Sequence, residues 1–408
     1  MPGPASPEIS PAPSSKTTLR ILSILVFNFA NYLTIGLPLA ILPGYVHDHL
    51  GYSAFWAGLV ISLQYFATLL SRPHAGRYAD KVGPKKVVMF GLSGCLLSGV
   101  FYLLALSFDA SPVASLALLC VGRLLLGAGQ SFAGTGSTLW GIGVVGSLHI
   151  GKVISWSGVV TYGAMAIGAP LGVWIFSLGG LTLLSVCIIA VALTALLAAW
   201  RKTPVAGKAT SQIPFRQVLG KVLPYGLALG LASTGFGVIA TFITLFYDAK
   251  GWSGAAFSLT FFSAAFVGMR LLFPNCINRF GGLRVSLLCF GVEIIGLILV
   301  FFAPTSAVAM GGAFLTGAGF SLVFPALGVV AVQKLPQENQ GSALATYSAF
   351  LDLSLGVTGP LAGILMAQAG IDAIYLGSAL LVFIAMALVL RLLLSQSPQK
   401  ASACVKTD

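Results

Sequence analysis

Three ionisable side chains stand inside long apolar stretches of this chain: Arg123, Glu293 and Asp352. A charge in hydrocarbon is costly unless it is paired or hydrated, so each must face protein or water rather than lipid. Arg123 begins the run RLLLGAG. Its planar fork of donors suits a carboxylate or phosphonate-like group. Asp352 can take up and release a proton. Each of these two lies about eleven residues into its apolar stretch, which makes them candidates for one cavity. Either Arg123 meets an anionic or zwitterionic solute while Asp352 handles a proton, or the two neutralise each other and the solute is neutral or cationic. Glu293 stands in the ninth stretch and reads as structural. Asn28, Asn31, Tyr32, Gln64, Tyr65, Gln130, Tyr162 and Tyr347 are candidate polar or aromatic lining, although each alone could serve as an interhelical hydrogen bond.

The elements that must position these residues are long and apolar. Hydrophobic residues make up 57% of the 408 positions and charged residues 8%, with a mean hydropathy of +0.96. A water-facing surface needs about a quarter charged residues, so a single soluble domain is excluded. A helix needs about 20 apolar residues to cross a bilayer, and roughly 230 are present, enough for twelve spans. The twelve stretches run near 19–42, 54–72, 85–107, 113–138, 154–176, 181–200, 223–246, 256–273, 284–303, 307–332, 342–366 and 373–394. The expected fold is an all-α membrane protein of two six-helix bundles, residues 16–200 and 222–395. A cytoplasmic linker at 201–221 joins them, a disordered Pro- and Ser-rich segment covers 1–15, and a cytoplasmic tail covers 396–408. The N-terminal stretch is not expected to be a signal peptide, and the segment after it is expected to be a retained first span.

The formal charge of +12 is explained by membrane topology, and nucleic acid is not expected as a partner. Of the 22 Lys and Arg, all but Lys250 and Arg123 sort to the side carrying both termini. That side is expected to be cytoplasmic. Arg72 and Arg270 are counted there, at the ends of their spans. The six cysteines show no metal-ligand spacing. No phosphate-binding loop, nucleophile elbow or zinc-helix motif is present, so neither ATP-driven pumping nor hydrolysis is expected, and no cofactor or metal is called for.

The chain also repeats itself. At an offset of 198, Arg72 meets Arg270, Lys81 meets Arg279, Gly83 meets Gly281 and Lys86 meets Arg284. At an offset of 190, Gly127-Ala128-Gly129 meets Gly317-Ala318-Gly319, and Pro170-Leu171 meets Pro360-Leu361. Two parallel repeats with a site between them near the midplane form the architecture of alternating access.

The loop GRYADKVGPKK, with Gly76, Asp80, Lys81, Gly83, Lys85 and Lys86, resembles the signature of the major facilitator superfamily. Pro84 departs from it, standing where the family carries a basic residue. The resemblance implies a gate in which Asp80 faces a helix N-terminus of the opposite half and the basic residues pair with it. The second copy keeps Arg279 and Gly281 but lacks the acid. A charged loop that only sets topology is the alternative. Arg123 matches the fourth-helix motif, which implies proton or substrate handling. The run GAMAIGAPLG resembles a looser form of the fifth-helix motif of proton-coupled exporters. There Gly168, Pro170 and Gly172 would kink the helix and allow close packing on the opposite half. Gly359, Pro360 and Gly363 would do the same in span eleven. Long stretches such as GQSFAGTGSTLWG are similar to the bacterial YhhS family of uncharacterised transporters. The function implied is secondary active transport of a small organic solute across the inner membrane. Proton-coupled efflux by a monomer is expected, with an uncoupled facilitator or an uptake symporter as alternatives, and a non-transporting receptor or enzyme as the rival of another class.

Overall fold

The computed structural model describes residues 15–108, 110–146, 149–205, 215–273, 275–335 and 340–404. The disorder expected for 1–15 falls outside these except at Ser15, which opens the first helix. Of the linker expected at 201–221, residues 206–214 also fall outside, whereas 215–221 already belong to the helix Phe215–Ala249. Among the described residues eleven helices are long and apolar enough to cross a membrane, and one of them, Ile150–Arg201, folds back at Gly179–Gly180 to give two limbs. Gly180 has φ 60 and ψ −158, a conformation closed to side chains with a Cβ, and so makes the reversal possible. Twelve spans result.

Spans 1 to 4 are Ser15–Leu39, Ala54–Val82, Pro84–Ser107 and Pro112–Val145. Spans 5 and 6 are the two limbs of Ile150–Arg201. Spans 7, 8 and 9 are Phe215–Ala249, Ala255–Leu272 and Gly282–Phe301. Span 10 is Ser306–Ser321 continued by Val323–Gln333, span 11 is Gln340–Ala369 and span 12 is Ala373–Cys404. Large apolar side chains such as Leu70, Trp174, Trp200, Leu288 and Phe302 face outward, where a bilayer would meet them.

The internal repeat holds at the level of backbone contacts. A Cβ on Gly127 would strike the Gln64 carbonyl, and one on Gly317 would strike the Phe262 carbonyl in the same way. A Cβ on Gly129 would lie 3.0 Å from the Cys95 nitrogen, and one on Gly319 would lie 2.5 Å from the Glu293 nitrogen. Gly83 and Gly281, between spans 2 and 3 and between spans 8 and 9, share φ of 88 and 83 and ψ of 150 and 143. No side chain with a Cβ takes that conformation cheaply, which is why both copies carry Gly. Pro84 occupies the first position of span 3, where its missing N–H costs nothing.

Between the halves, span 2 lies along span 11 and span 5 along span 8. A Cβ on Gly58 would enter the Gly359 carbonyl, and one on Gly363 would come within 2.8 Å of the Phe55 Cα. Ser62 donates to the Leu355 carbonyl at 3.4 Å. Thr260 of span 8 donates to the Ala166 carbonyl of span 5 at 3.0 Å.

The glycines of span 5 correct the expectation drawn for them. Gly168 and Gly172 press on Gly36 and Leu37 of span 1, inside their own half. Of the motif glycines, only Gly359 and Gly363 of span 11 meet the opposite half. Against the Pro170–Pro360 alignment the two glycine pairs are offset by one residue. One residue is about 100° of helix rotation, enough to turn the glycine face from one neighbour to another.

Candidate functional site

The strongest contact between the halves is an ion pair that the sequence did not suggest. Arg72 donates from Nε to Asp352 Oδ2 at 2.6 Å and from its terminal nitrogen to Oδ1 at 2.9 Å. Asp352 is 2% exposed. The expectation that Asp352 and Arg123 neutralise each other is therefore wrong for this conformation. The placement of Arg72 at the end of its span is corrected as well. Span 2 stays helical to Val82, so Arg72 sits about ten residues, roughly 15 Å, inside the helix end. A helix whose backbone is hydrogen-bonded runs past the last apolar residue, and an apolar window cannot see that.

Around this pair lies a polar cluster of the first half. Gln64 donates to the Gln130 side-chain carbonyl at 2.6 Å, and Gln130 donates to the Tyr32 hydroxyl at 3.3 Å. Thr68 donates to the Gly127 carbonyl at 2.9 Å and lies 3.4 Å from the same Gln130 oxygen. Tyr32 is electrostatically close to both Arg72 and Asp352. Asn28 donates to Thr161 at 3.0 Å and Ser157 at 3.3 Å on span 5, and the Cys95 thiol donates to Asn31 at 3.3 Å. Gln64, Gln130 and Tyr32 thus come together, whereas Asn28 and Asn31 brace span 1 against spans 5 and 3.

The second half meets this cluster with aromatic rings. Tyr162 stacks on Phe266 with centroids 3.5 Å apart and lies 6.1 Å from Phe236. Phe320 completes the group at 6.0 Å from Phe266. Arg270 lies over the Phe266 ring at 4.6 Å and donates to the Ser321 carbonyl at 3.3 Å. The repeat offsets pair Arg72 with Arg270 and Asp352 with Tyr162. The two crossings, spans 2 and 11 and spans 5 and 8, are therefore related contacts. One is an ion pair, and in the other a phenol faces an arginine. Reading the two offsets together is the signal that could have found Arg72.

Arg123 is fully buried in span 4, and none of its three nitrogens makes a hydrogen bond among the described residues. Its electrostatic neighbours are Tyr65 and Cys120. Tyr347 donates to the Phe324 carbonyl at 3.0 Å within its own half, a structural contact. In the signature loop, the side chain of Asp80 lies outside the described residues. Lys81, Lys86 and Arg279 are exposed. Lys85 departs from the expected gate: it donates to the carbonyls of Trp200 and Lys202 at 2.7 and 2.6 Å. That closes the C-terminal end of span 6 in its own half, where a cation offsets the helix dipole. At the opposite end of the molecule Lys250 pairs with Asp372 at 2.8 Å.

Twelve spans in two repeats, meeting along two crossed helix pairs with buried charge between them, define a secondary transporter. The Major Facilitator Superfamily model matches residues 24–281 and again 226–404, and the chain belongs to that family. It is 68% identical over 377 residues to the uncharacterised MFS-type transporter YhhS of Escherichia coli K12, covering 92% of this chain and 93% of that protein. The YhhS of Salmonella typhimurium is 65% identical over 386 residues, 95% of each chain. Among solved structures, a D-xylose–proton symporter superposes with a TM-score of 0.75 at 14% identity, over 90% of this chain and 97% of that one. The nucleoside transporter NupG superposes with a TM-score of 0.73 at 15% identity, over 90% and 99%. These two likenesses concern the fold. The chain is a multi-pass membrane transporter and not an enzyme.

Proposed function

We propose that this protein exports a small organic anion or zwitterion from the bacterial cytoplasm in exchange for protons, working as a monomer in the inner membrane. The observation that carries the reading is the buried Arg72–Asp352 pair between the halves. A proton arriving at Asp352 makes it neutral, removes the charge that holds Arg72, and lets spans 2 and 11 part at that level. The proton leaves when the pair re-forms, so one ionisable group ties helix movement to the proton gradient. Arg123 supports an anionic solute, because a buried guanidinium without a hydrogen-bond partner among the described residues favours binding of a carboxylate or phosphonate-like group. Asp80 stands near the terminus-bearing end of span 2, where a gate would work.

The test uses purified protein in liposomes with an imposed pH gradient and a panel of labelled metabolites and drugs. Asp352→Asn is expected to retain solute exchange and lose gradient-driven accumulation, whereas Arg123→Gln is expected to lose binding of the anion. Wild-type movement indifferent to the gradient would establish an uncoupled facilitator instead. Accumulation in the same direction as the proton would establish a symporter.

The orientation has its own test. Both termini are expected in the cytoplasm, because the basic residues gather on their side. A reporter fused after Lys406 should be active only in the cytoplasm. Activity confined to the periplasm would overturn the orientation.

A further inference from the structure

We propose that Glu293 is a second proton-binding site, set inside the second half between spans 7, 9 and 10 and separate from Asp352. Glu293 is 0% exposed, and neither carboxyl oxygen has a hydrogen-bond partner among the described residues. It does not face lipid, as a side chain of a peripheral span would. It points at Gly235 of span 7, where an added Cβ would come 2.5 Å from Oε1. That same Cβ would lie 3.3 Å from Leu297 and 3.4 Å from the Thr316 methyl group. The glycine leaves the space that the carboxyl group fills.

The groups facing Glu293 carry no charge. Gly235 comes from span 7, Thr316 and Gly319 come from span 10, and Cys289 stands one turn earlier on span 9. No charged side chain of the described residues acts on it. The Thr316 hydroxyl is already donating to the Gly312 carbonyl at 2.8 Å. An ionised carboxylate in such surroundings would stand uncompensated. The partner that fits the space is a proton.

The internal repeat sharpens the point. Cys95 occupies the equivalent position of span 3, and its thiol is satisfied by Asn31 at 3.3 Å. The same corner of the fold is therefore built in the first half without an acid. In the second half the acid stands where the first half has the thiol, and Gly235 of span 7 leaves the room beside it. Span 7 also lies against span 11, which carries Asp352. A shift of span 7 alters what Glu293 meets, and so provides a route for the proton to exchange.

Infrared spectroscopy of the purified protein in lipid at neutral pH tests this without any solute. The carbonyl stretch of a protonated carboxyl group is expected, and it should shift on transfer to deuterated buffer. It should vanish in Glu293→Gln, move in Glu293→Asp and persist in Asp352→Asn. The Asp variant and the solvent exchange of the wild type keep the test valid if the Gln variant fails to fold. A spectrum without the band, or a band unchanged in both Glu293 variants, overturns the proposal. So does a band that never exchanges with solvent, which would mark a static acid, or one removed by added sodium at constant pH, which would make the ligand a metal ion. Because nothing is transported, a failure here leaves the coupling role of Asp352 untouched, and the reverse also holds.

Discussion

Asp352→Ala is expected to destabilise the closed contact between spans 2 and 11 by about 3 kcal/mol, the lower end of the cost of breaking a buried ion pair. The lower end applies because the Arg72 side chain keeps 28% of its exposure and so recovers some hydration. Such a loss corresponds to roughly a hundredfold change in the balance between closed and parted spans. Two readouts separate stability from opening. Thermal unfolding of the purified protein should fall in Asp352→Ala and in Arg72→Ala, and recover partly in the double variant, which leaves no charge uncompensated. Labelling of a cysteine introduced at Ser71 in a cysteine-free background should rise in both single variants and stay high in the double one. The attraction between the halves is gone in all three. If labelling is unchanged in every variant, the pair is a passive contact and does not hold the spans together.

Gly172→Val is expected to have a still larger effect on folding. An added Cβ there overlaps the Leu37 carbonyl and lies 3.0 Å from the Leu37 Cα. Both atoms are backbone of span 1, so no rotamer change relieves the clash, and the two helices must separate along their length. Overpacking costs about 1–3 kcal/mol where side chains can yield. Here it should exceed that and consume much of the margin of about 5–15 kcal/mol that folded proteins carry. Gly163→Val is the control. It lies in the same helix, but nothing stands within 4 Å of its added Cβ. Size-exclusion profiles in detergent should show Gly172→Val lost or aggregated and Gly163→Val monodisperse. A normal profile for Gly172→Val would mean that spans 1 and 5 are not packed as described.

Much of the architecture could be read from residue order alone. Hydrophobic runs of membrane length are a one-dimensional property, because each span satisfies its own backbone hydrogen bonds. The same holds for the loop glycines. Gly83 and Gly281 matched in sequence because both must take a positive φ at the same turn of the repeat. Of the site, Tyr32, Gln64 and Gln130 were visible as polar residues on apolar helices, and they meet.

What the sequence could not determine was which charges meet. Arg72 appeared as the first residue of a basic loop, yet span 2 continues past it as helix, and its guanidinium reaches across to Asp352. Arg123 and Asp352 stand at similar depth but on helices that do not bring them together. Depth is set by counting residues, whereas contact depends on rotation about each helix axis and on which helix lies alongside. The same rotation sent Gly168 and Gly172 to span 1 while Gly359 and Gly363 reached across to span 2. It also turned Glu293 inward, onto the one glycine of span 7 that leaves it room. Helix order, length and repeat are written along the chain. Facing is decided only when the helices pack, because a single residue of offset turns a side chain from one neighbour to another.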